Sequence, residues 1–447
     1  MLTEIHANKL QCLILGVVFF IALFLFEEAT RYYLERHGGN TPTPGLKEFP
    51  EIEEAALSKF TSFDPELGWE RQPNQERKTD VGGPKPDDPD ADKVLFSTDE
   101  YGSRVCDVPR EESEFTVATY GDSFCACRGV GDRESFQHYL SQALDVHVSN
   151  YGVGNYGLDQ ALLRLKRRFD DDPADYVVFA SSEQVTMNRL LNVWKHYFEF
   201  GNTFAIKLRF ELKDGELELV PTPIRERSDL LDIESHRDFL RSNDFHYENW
   251  FLSHSIRRPY SRYWFQSPWN VPYAAATVLE YATRNRPLLK PLHTQAYAAM
   301  TTWAPKTKDR NIQTYRHHLE RDFSDLFCAI LKEFAEFARS RGAVPIYLPI
   351  RSQNPAGYGD REPLGDSIKE QLARECPELN VVDPRADIDR RVDSEEFYVG
   401  HPGPKHNQWN AEALAAFICE REAESGTRSV ATDQSVGPRA AKRTSKS

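Results

Sequence analysis

Residues 115–124 read FTVATYGDSF, a β-prone run that stops at a Gly-Asp-Ser turn. The chain on its C-terminal side changes period in a regular way. Glu134–Leu144 has helical spacing, Val146–Asn150 is again β-prone, and Leu158–Phe169 is helical. Tyr176–Ala180 (YVVFA) is unbroken in apolar character, as a strand covered on both faces must be. Strand, helix, strand, helix, strand implies an α/β fold with a parallel sheet and right-handed crossovers. The same rhythm returns near the C-terminus. Leu319–Arg341 predicts a long amphipathic helix ended by Gly342, and Val344–Pro349 (VPIYLP) a strand. Ser367–Arg374 predicts a helix, Asn380–Asp383 a strand and Ala411–Glu422 a last helix.

Between these two runs, residues 204–221 form two alternating stretches around Asp214-Gly215, a strong hairpin signal. Residues 222–310 follow as an aromatic-rich, mostly helical insertion. Its tryptophans (Trp250, Trp264, Trp269, Trp303) serve either core packing or stacking on sugar rings. Upstream, residues 72–93 are rich in Pro, Asp and Gly and predict a long surface loop. The organisation that follows is a membrane anchor over 1–27, a juxtamembrane stalk and loop over 28–93, and the first part of the α/β domain over 94–203. The hairpin and insertion take 204–318, the second part of the domain 319–422, and a disordered tail 423–447.

The anchor is the uncharged run Cys12–Phe26 (CLILGVVFFIALFLF), extended to Leu10. It approaches the ~17–25 residues of a membrane span, and no small-x-small cleavage site follows it. A single-pass anchor through residues 10–26 is therefore expected in place of a cleaved signal. Lys9 before it and Arg31 and Arg36 after it leave the orientation balanced. A formal net charge of -14 and a pI near 5.5 exclude a nucleic-acid partner, because phosphate neutralisation needs clustered Lys and Arg. The 7 cysteines are odd in number and form no disulfide framework. Cys125-Ala-Cys127 has no partner pair at zinc-ligand distance elsewhere, so neither a metal nor a cofactor is expected.

Three short motifs follow predicted strands, and a fourth lies on a loop just before the last helix. Ser123, in Tyr120-Gly121-Asp122-Ser123-Phe124, stands just past the first strand, in the crevice where open α/β sheets bind ligands. Asn150–Gln160 (NYGVGNYGLDQ) is a glycine-rich turn after the second strand, able to turn free N–H groups towards a ligand. Ser182-Glu183-Gln184 follows the third strand, where a serine also suits a helix N-cap. His401, in HPGPKHN before the final helix, is placed to act as a general base for an early serine. Taken singly, each is ordinary turn or surface chemistry.

Their order and placement resemble the SGNH/GDSL hydrolase family. That resemblance implies a three-layer α/β/α sandwich with a parallel, flavodoxin-like sheet, Ser123 as nucleophile and His401 as base. It also implies an oxyanion hole from the Ser123 N–H, the 152–155 loop (Gly154, Asn155) and the Gln184 amide. Asn155 stands where the family usually has glycine, Gln184 where it has asparagine, and His406 where it has glycine. The usual aspartate position is Tyr398, which leaves Asp393, Glu395 and Glu396 as candidate acids or a Ser–His dyad without one. Phe63–Trp69 (FDPELGW) and Ser97–Arg104 (STDEYGSR) are similar to segments that precede the domain in membrane-anchored members. The function implied is ester hydrolysis through an acyl-enzyme on Ser123, with O-acyl groups of a cell-envelope carbohydrate as substrate and the domain outside the cytoplasm. Two alternatives stay open here: an O-acyltransferase using the same serine, and a catalytically silent SGNH-like domain that binds at the membrane.

Overall fold

The computed structural model describes residues 2–37, 48–49, 52, 61–80, 93–182, 187–197, 206–266, 270–272, 274–275, 323–351, 364–391, 397–398 and 400–424. Helix α1 (Leu2–His37) comes first. Two antiparallel ribbons follow, β1 (Thr61–Asp64) with β2 (Gly68–Arg71), and β3 (Glu76–Asp80) with β4 (Lys93–Ser97). The α/β body is then built from β5 (Thr116–Gly121), α2 (Phe136–Leu144), β6 (His147–Asn150), α3 (Leu158–Arg168) and β7 (Tyr176–Ser181). After the hairpin β8 (Arg209–Lys213) and β9 (Glu216–Val220) comes α4 (Arg237–Asn243) of the insertion. The body resumes with α5 (Ser324–Ser340), β10 (Val344–Pro349), α6 (Leu364–Glu375), β11 (Asn380–Val381) and α7 (Arg385–Arg391). The small ladder of β12 (Phe397–Tyr398) and β13 (His401–Pro402) leads into α8 (Pro404–Glu424).

The central sheet has 5 strands in the order β11-β10-β7-β5-β6, and each pairing in it is parallel. In chain order of its strands this is 2-1-3-4-5, the flavodoxin-like arrangement, whose switch point lies between the first strand and the third. Both faces of the sheet are apolar and covered. Along β7, Val177 and Phe179 enter one core while Tyr176, Val178 and Ala180 enter the other. The first core is closed by α3, α5 and α6, with Phe334 stacked on Phe179 at a centroid distance of 3.8 Å. The second is closed by α2 and α8, through Phe136, Leu140, Leu414 and Ile418. Burying each such large side chain contributes roughly 1.5–3 kcal/mol. The result is the three-layer α/β/α sandwich expected from the sequence.

Local chemistry accounts for the element ends. Gly342, at φ +82°, ends α5, with the Ala343 N–H returning to the Ala338 carbonyl at 2.9 Å. Asp214 and Gly215, both at positive φ, make the tight turn between β8 and β9.

Three expectations need correction. The last helix begins at Pro404, not at Ala411, because proline is preorganised for the first helical position; His406 and Asn407 are therefore helical. Residues 28–37 continue α1 as helix instead of opening the stalk. Within the presumed loop of 72–93, residues 76–80 pair with 93–97, and the charged Glu76–Asp80 (ERKTD) hid that strand from its composition. The tail beyond Glu424 and the residues from 276 to 322, including Trp303, lie outside the described residues, as does Trp269.

From Leu13 to Phe26, the large apolar side chains of α1 are between 43% and 70% exposed. The stretch Gln11–Glu35 is long and apolar enough to cross a membrane, with a mean hydropathy of 2.4 in its most apolar window.

Candidate active site

The carboxyl end of β5 lies at the switch point of the sheet, between β6 and β7. Gly121, the last residue of β5, has no room for a side chain: a Cβ there would stand 1.9 Å from the Ala180 carbonyl oxygen. The chain then turns sharply. Asp122, fully buried, accepts from the Phe124 N–H (2.8 Å) through Oδ1 and faces the Arg189 guanidinium at 3.8 Å through Oδ2. The Ala126 N–H donates to the Asp122 carbonyl and the Arg128 N–H to that of Ser123, which closes the loop on itself. Ser123 sits at the apex.

His401 arrives from the other end of the domain. The β12–β13 ladder sets Tyr398 opposite His401, with Gly400 at φ +80° between them, and α8 starts directly afterwards. The His401 ring stacks on Phe124 at 4.4 Å between centroids, and its Nε2 lies 2.8 Å from Ser123 Oγ. Across 278 positions of sequence, the two predicted residues meet at hydrogen-bond distance. An imidazole nitrogen placed there can take the hydroxyl proton; both groups are largely buried, 4% exposed for Ser123 and 9% for His401.

The loop after β6 is fastened to the end of β5. Tyr151 and Val153 donate their N–H groups to the Thr119 and Gly121 carbonyls at 2.8 and 3.0 Å. Gly152 presses on the serine loop so closely that a Cβ would stand 2.4 Å from the Ala126 nitrogen. The Trp69 indole of β2 donates to the Gly154 carbonyl at 3.0 Å, and the Tyr156 hydroxyl donates back to the Trp69 carbonyl at 2.5 Å. Asn155 adopts the left-handed conformation (φ +70°), which asparagine tolerates best among residues with a side chain. The N–H groups of Ser123, Gly154 and Asn155 have no hydrogen-bond acceptor among the described residues. These are the main-chain donors that the family resemblance implies for an oxyanion. Gln184, and the candidate acids Asp393, Glu395 and Glu396, lie outside the described residues; of Tyr398 only the backbone is described.

Several supporting residues escaped the sequence reading. Arg104, buried, donates to Asp132 (2.6 Å) and to the carbonyls of Ala126, Cys127 and Val130 at 2.7–3.3 Å, clamping the loop that carries Ser123. Asn407 ties α8 to the same region, donating to the Glu134 carbonyl at 3.0 Å and facing the Cys127 thiol at 3.8 Å. Asp159 and Gln160 of the second motif are structural. Asp159 pairs with buried Lys207, and the Gln160 amide donates to the Leu67 carbonyl at 2.6 Å. All the cysteines are free. Burial pushes the Cys127 thiol up to about 11 and raises Cys125 further, so both stay protonated at neutral pH.

The insertion reaches the site through Asp244. Its carboxylate accepts from the N–H groups of Val193 (2.9 Å), Trp194 (2.7 Å) and His246 (2.9 Å), while the His246 ring contacts the Asn188 carbonyl at 2.9 Å, next to Arg189. Burial pushes the Asp244 pKa up to about 7 despite those donors. A carboxyl raised in the folded state favours folding below its unfolded pKa, near 4, and loses that contribution as pH rises through about 7. The stability of the wild type relative to Asp244→Asn is therefore expected to fall between pH 4 and pH 7, by on the order of 2–4 kcal/mol, and to level off above. Urea denaturation at several pH values checks this; a pH-independent difference would show that Asp244 does not titrate in that window.

No family model matches the chain, and no curated protein matches it significantly. Solved structures that match include a protein assigned to the G-D-S-L lipolytic family from Desulfitobacterium hafniense DCB-2. It is 13% identical, covers 68% of this chain and 99% of its own, and has a TM-score of 0.26. The psychrotrophic esterase EstA from Pseudoalteromonas sp. is 10% identical, covering 69% of this chain and 100% of its own at a TM-score of 0.30. The acetylxylan esterase Axe2 from Geobacillus stearothermophilus is 10% identical, covering 69% and 96% at a TM-score of 0.30. At these identities and TM-scores nothing about activity or substrate passes from them to this chain.

Proposed function

We propose that this chain is a serine ester hydrolase of the SGNH/GDSL type, held at a membrane by α1. The observation that carries the reading is the 2.8 Å approach of His401 Nε2 to Ser123 Oγ at the switch point of the sheet. His401 takes the hydroxyl proton as Ser123 Oγ bonds to the ester carbonyl carbon, and the carbonyl electrons move onto oxygen. The N–H groups of Ser123, Gly154 and Asn155, with the Gln184 amide, stabilise that oxyanion. Collapse breaks the ester C–O bond, and the imidazolium protonates the departing alkoxide. Water, deprotonated by His401, then attacks the acyl-enzyme and releases the carboxylic acid and free Ser123.

O-acyl groups on a cell-envelope carbohydrate are the substrate class we favour, with the catalytic domain outside the cytoplasm. Support for this comes from the resemblance of Phe63–Trp69 and Ser97–Arg104 to membrane-anchored members, and from the apolar, exposed length of α1. The test is covalent. A fluorophosphonate is expected to label the full-length protein once, with the adduct mapped to Ser123 by mass spectrometry and absent from Ser123→Ala. Folded protein that repeatedly resists the reagent would overturn the hydrolase and leave the silent binding domain.

A further inference from the structure

The C-terminal third of α1 is fastened to the insertion. Glu27 accepts from the N–H groups of Tyr260 (2.5 Å) and Ser261 (3.0 Å), and Glu28 pairs with Arg258 at 2.8 Å. The Trp264 indole donates to Thr30 Oγ1 at 2.9 Å, and that hydroxyl donates in turn to the Phe26 carbonyl at 2.8 Å. Leu34, Ile256 and Tyr263 bury one another, with Tyr33, Tyr260 and Trp264 packed around them. These contacts begin where the apolar run ends. With a rise of about 1.5 Å per residue, Glu27 to Thr30 lie within about 6 Å of Phe26, roughly the depth of one headgroup layer.

The outer surface of the same segment is unusual for a water-facing one. Phe265 is 86% exposed and Val271 55%, Arg257, Arg258 and Arg262 are exposed, and Tyr32 of α1 is 58% exposed. Aromatic rings mixed with arginines are the composition of the belts that proteins place at membrane–water boundaries. A second fastening lies further along: Glu48 binds the Arg241 guanidinium with both oxygens at 2.6 Å, and Phe49 packs on Trp194 at 5.8 Å.

We infer that the segment Ile256–Gln266, with Val271, is a membrane-contacting collar. Phe265 and Val271, with Arg257 and Arg262, seat in the phospholipid headgroup layer around the base of α1 and set the height of the Ser123 site above the bilayer. The collar rests on the reading of α1 as a membrane span. It confines hydrolysis to esters presented close to the membrane surface.

Site-specific photocrosslinking tests this on the full-length chain in vesicles of phosphatidylcholine with a minority of phosphatidylglycerol. Phe20, Phe265 or Leu231 is replaced, one at a time, by p-benzoylphenylalanine; after irradiation, phospholipid adducts are counted by mass spectrometry. Leu231 is the control, 49% exposed and lining the groove beside Glu48 and Arg241. The expected result is abundant adduct at positions 20 and 265, with about ten-fold more at 265 than at 231. Adduct at 20 with no excess at 265 over 231 overturns the collar and leaves the span standing. Absence of adduct at 20 removes the span, and the collar falls with it.

Discussion

Ser123→Ala is expected to lower kcat/KM for a short-chain aryl ester by about 10⁴-fold or more, and His401→Ala to do nearly the same. The two groups act as one unit: without the imidazole the hydroxyl stays protonated and is a poor nucleophile, and without the hydroxyl the imidazole has no proton to move. The double variant should therefore be no slower than either single one. Steady-state rates on the three variants check this, with thermal melts to show that each is folded. Ser123 adds little to the core, whereas His401 stacks on Phe124, so His401→Ala carries a modest stability loss as well. A His401→Ala rate within about ten-fold of wild type would take the imidazole out of the mechanism.

Arg104→Ala should have the largest effect on stability, about 3–5 kcal/mol in urea denaturation. The guanidinium is almost wholly buried, stacks on Phe96 at 4.2 Å, and fills its donor positions with Asp132 and three carbonyls. Truncation leaves the Asp132 carboxylate without its cation and the carbonyls of Ala126, Cys127 and Val130 without a donor. Arg104→Lys keeps the charge but not the planar fork, and should fall between the two. Because the released loop carries Ser123, folded Arg104→Ala protein should also lose kcat more than it raises KM. Unfolding free energies that agree within about 1 kcal/mol would show that the clamp is not needed.

Much of the α/β body was legible because its strands are covered on both faces. Tyr176–Ala180 and Val344–Pro349 carry continuous apolar runs that few other environments would tolerate. The pairing of Ser123 with His401 rested on the resemblance of their two motifs to the SGNH/GDSL blocks, because no local period links a serine after β5 to a histidine in the separate β12–β13 ladder. The N-terminal ribbons were harder to see. Glu76–Asp80 is one strand of a two-stranded ribbon, exposed from Glu76 to Lys78, so its residues show no apolar alternation. Arg104 and Trp69 were visible as parts of similar segments, but a buried arginine reads like a surface one until its partners are known. Their role depends on carbonyls and turns more than twenty positions away, which no local period reports.

The pairing of β7 with β10, Tyr176 opposite Val344, joins strands that the whole hairpin and insertion separate in sequence. During synthesis, β7 must wait for that entire length before its second neighbour exists. Until then it is the rim of an unfinished sheet, a six-residue strand with apolar side chains on both faces and unsatisfied main-chain groups along one side. A chain cut short before Val344 would therefore keep its serine yet lack both a base and a finished edge, and would be prone to self-association instead of slow catalysis.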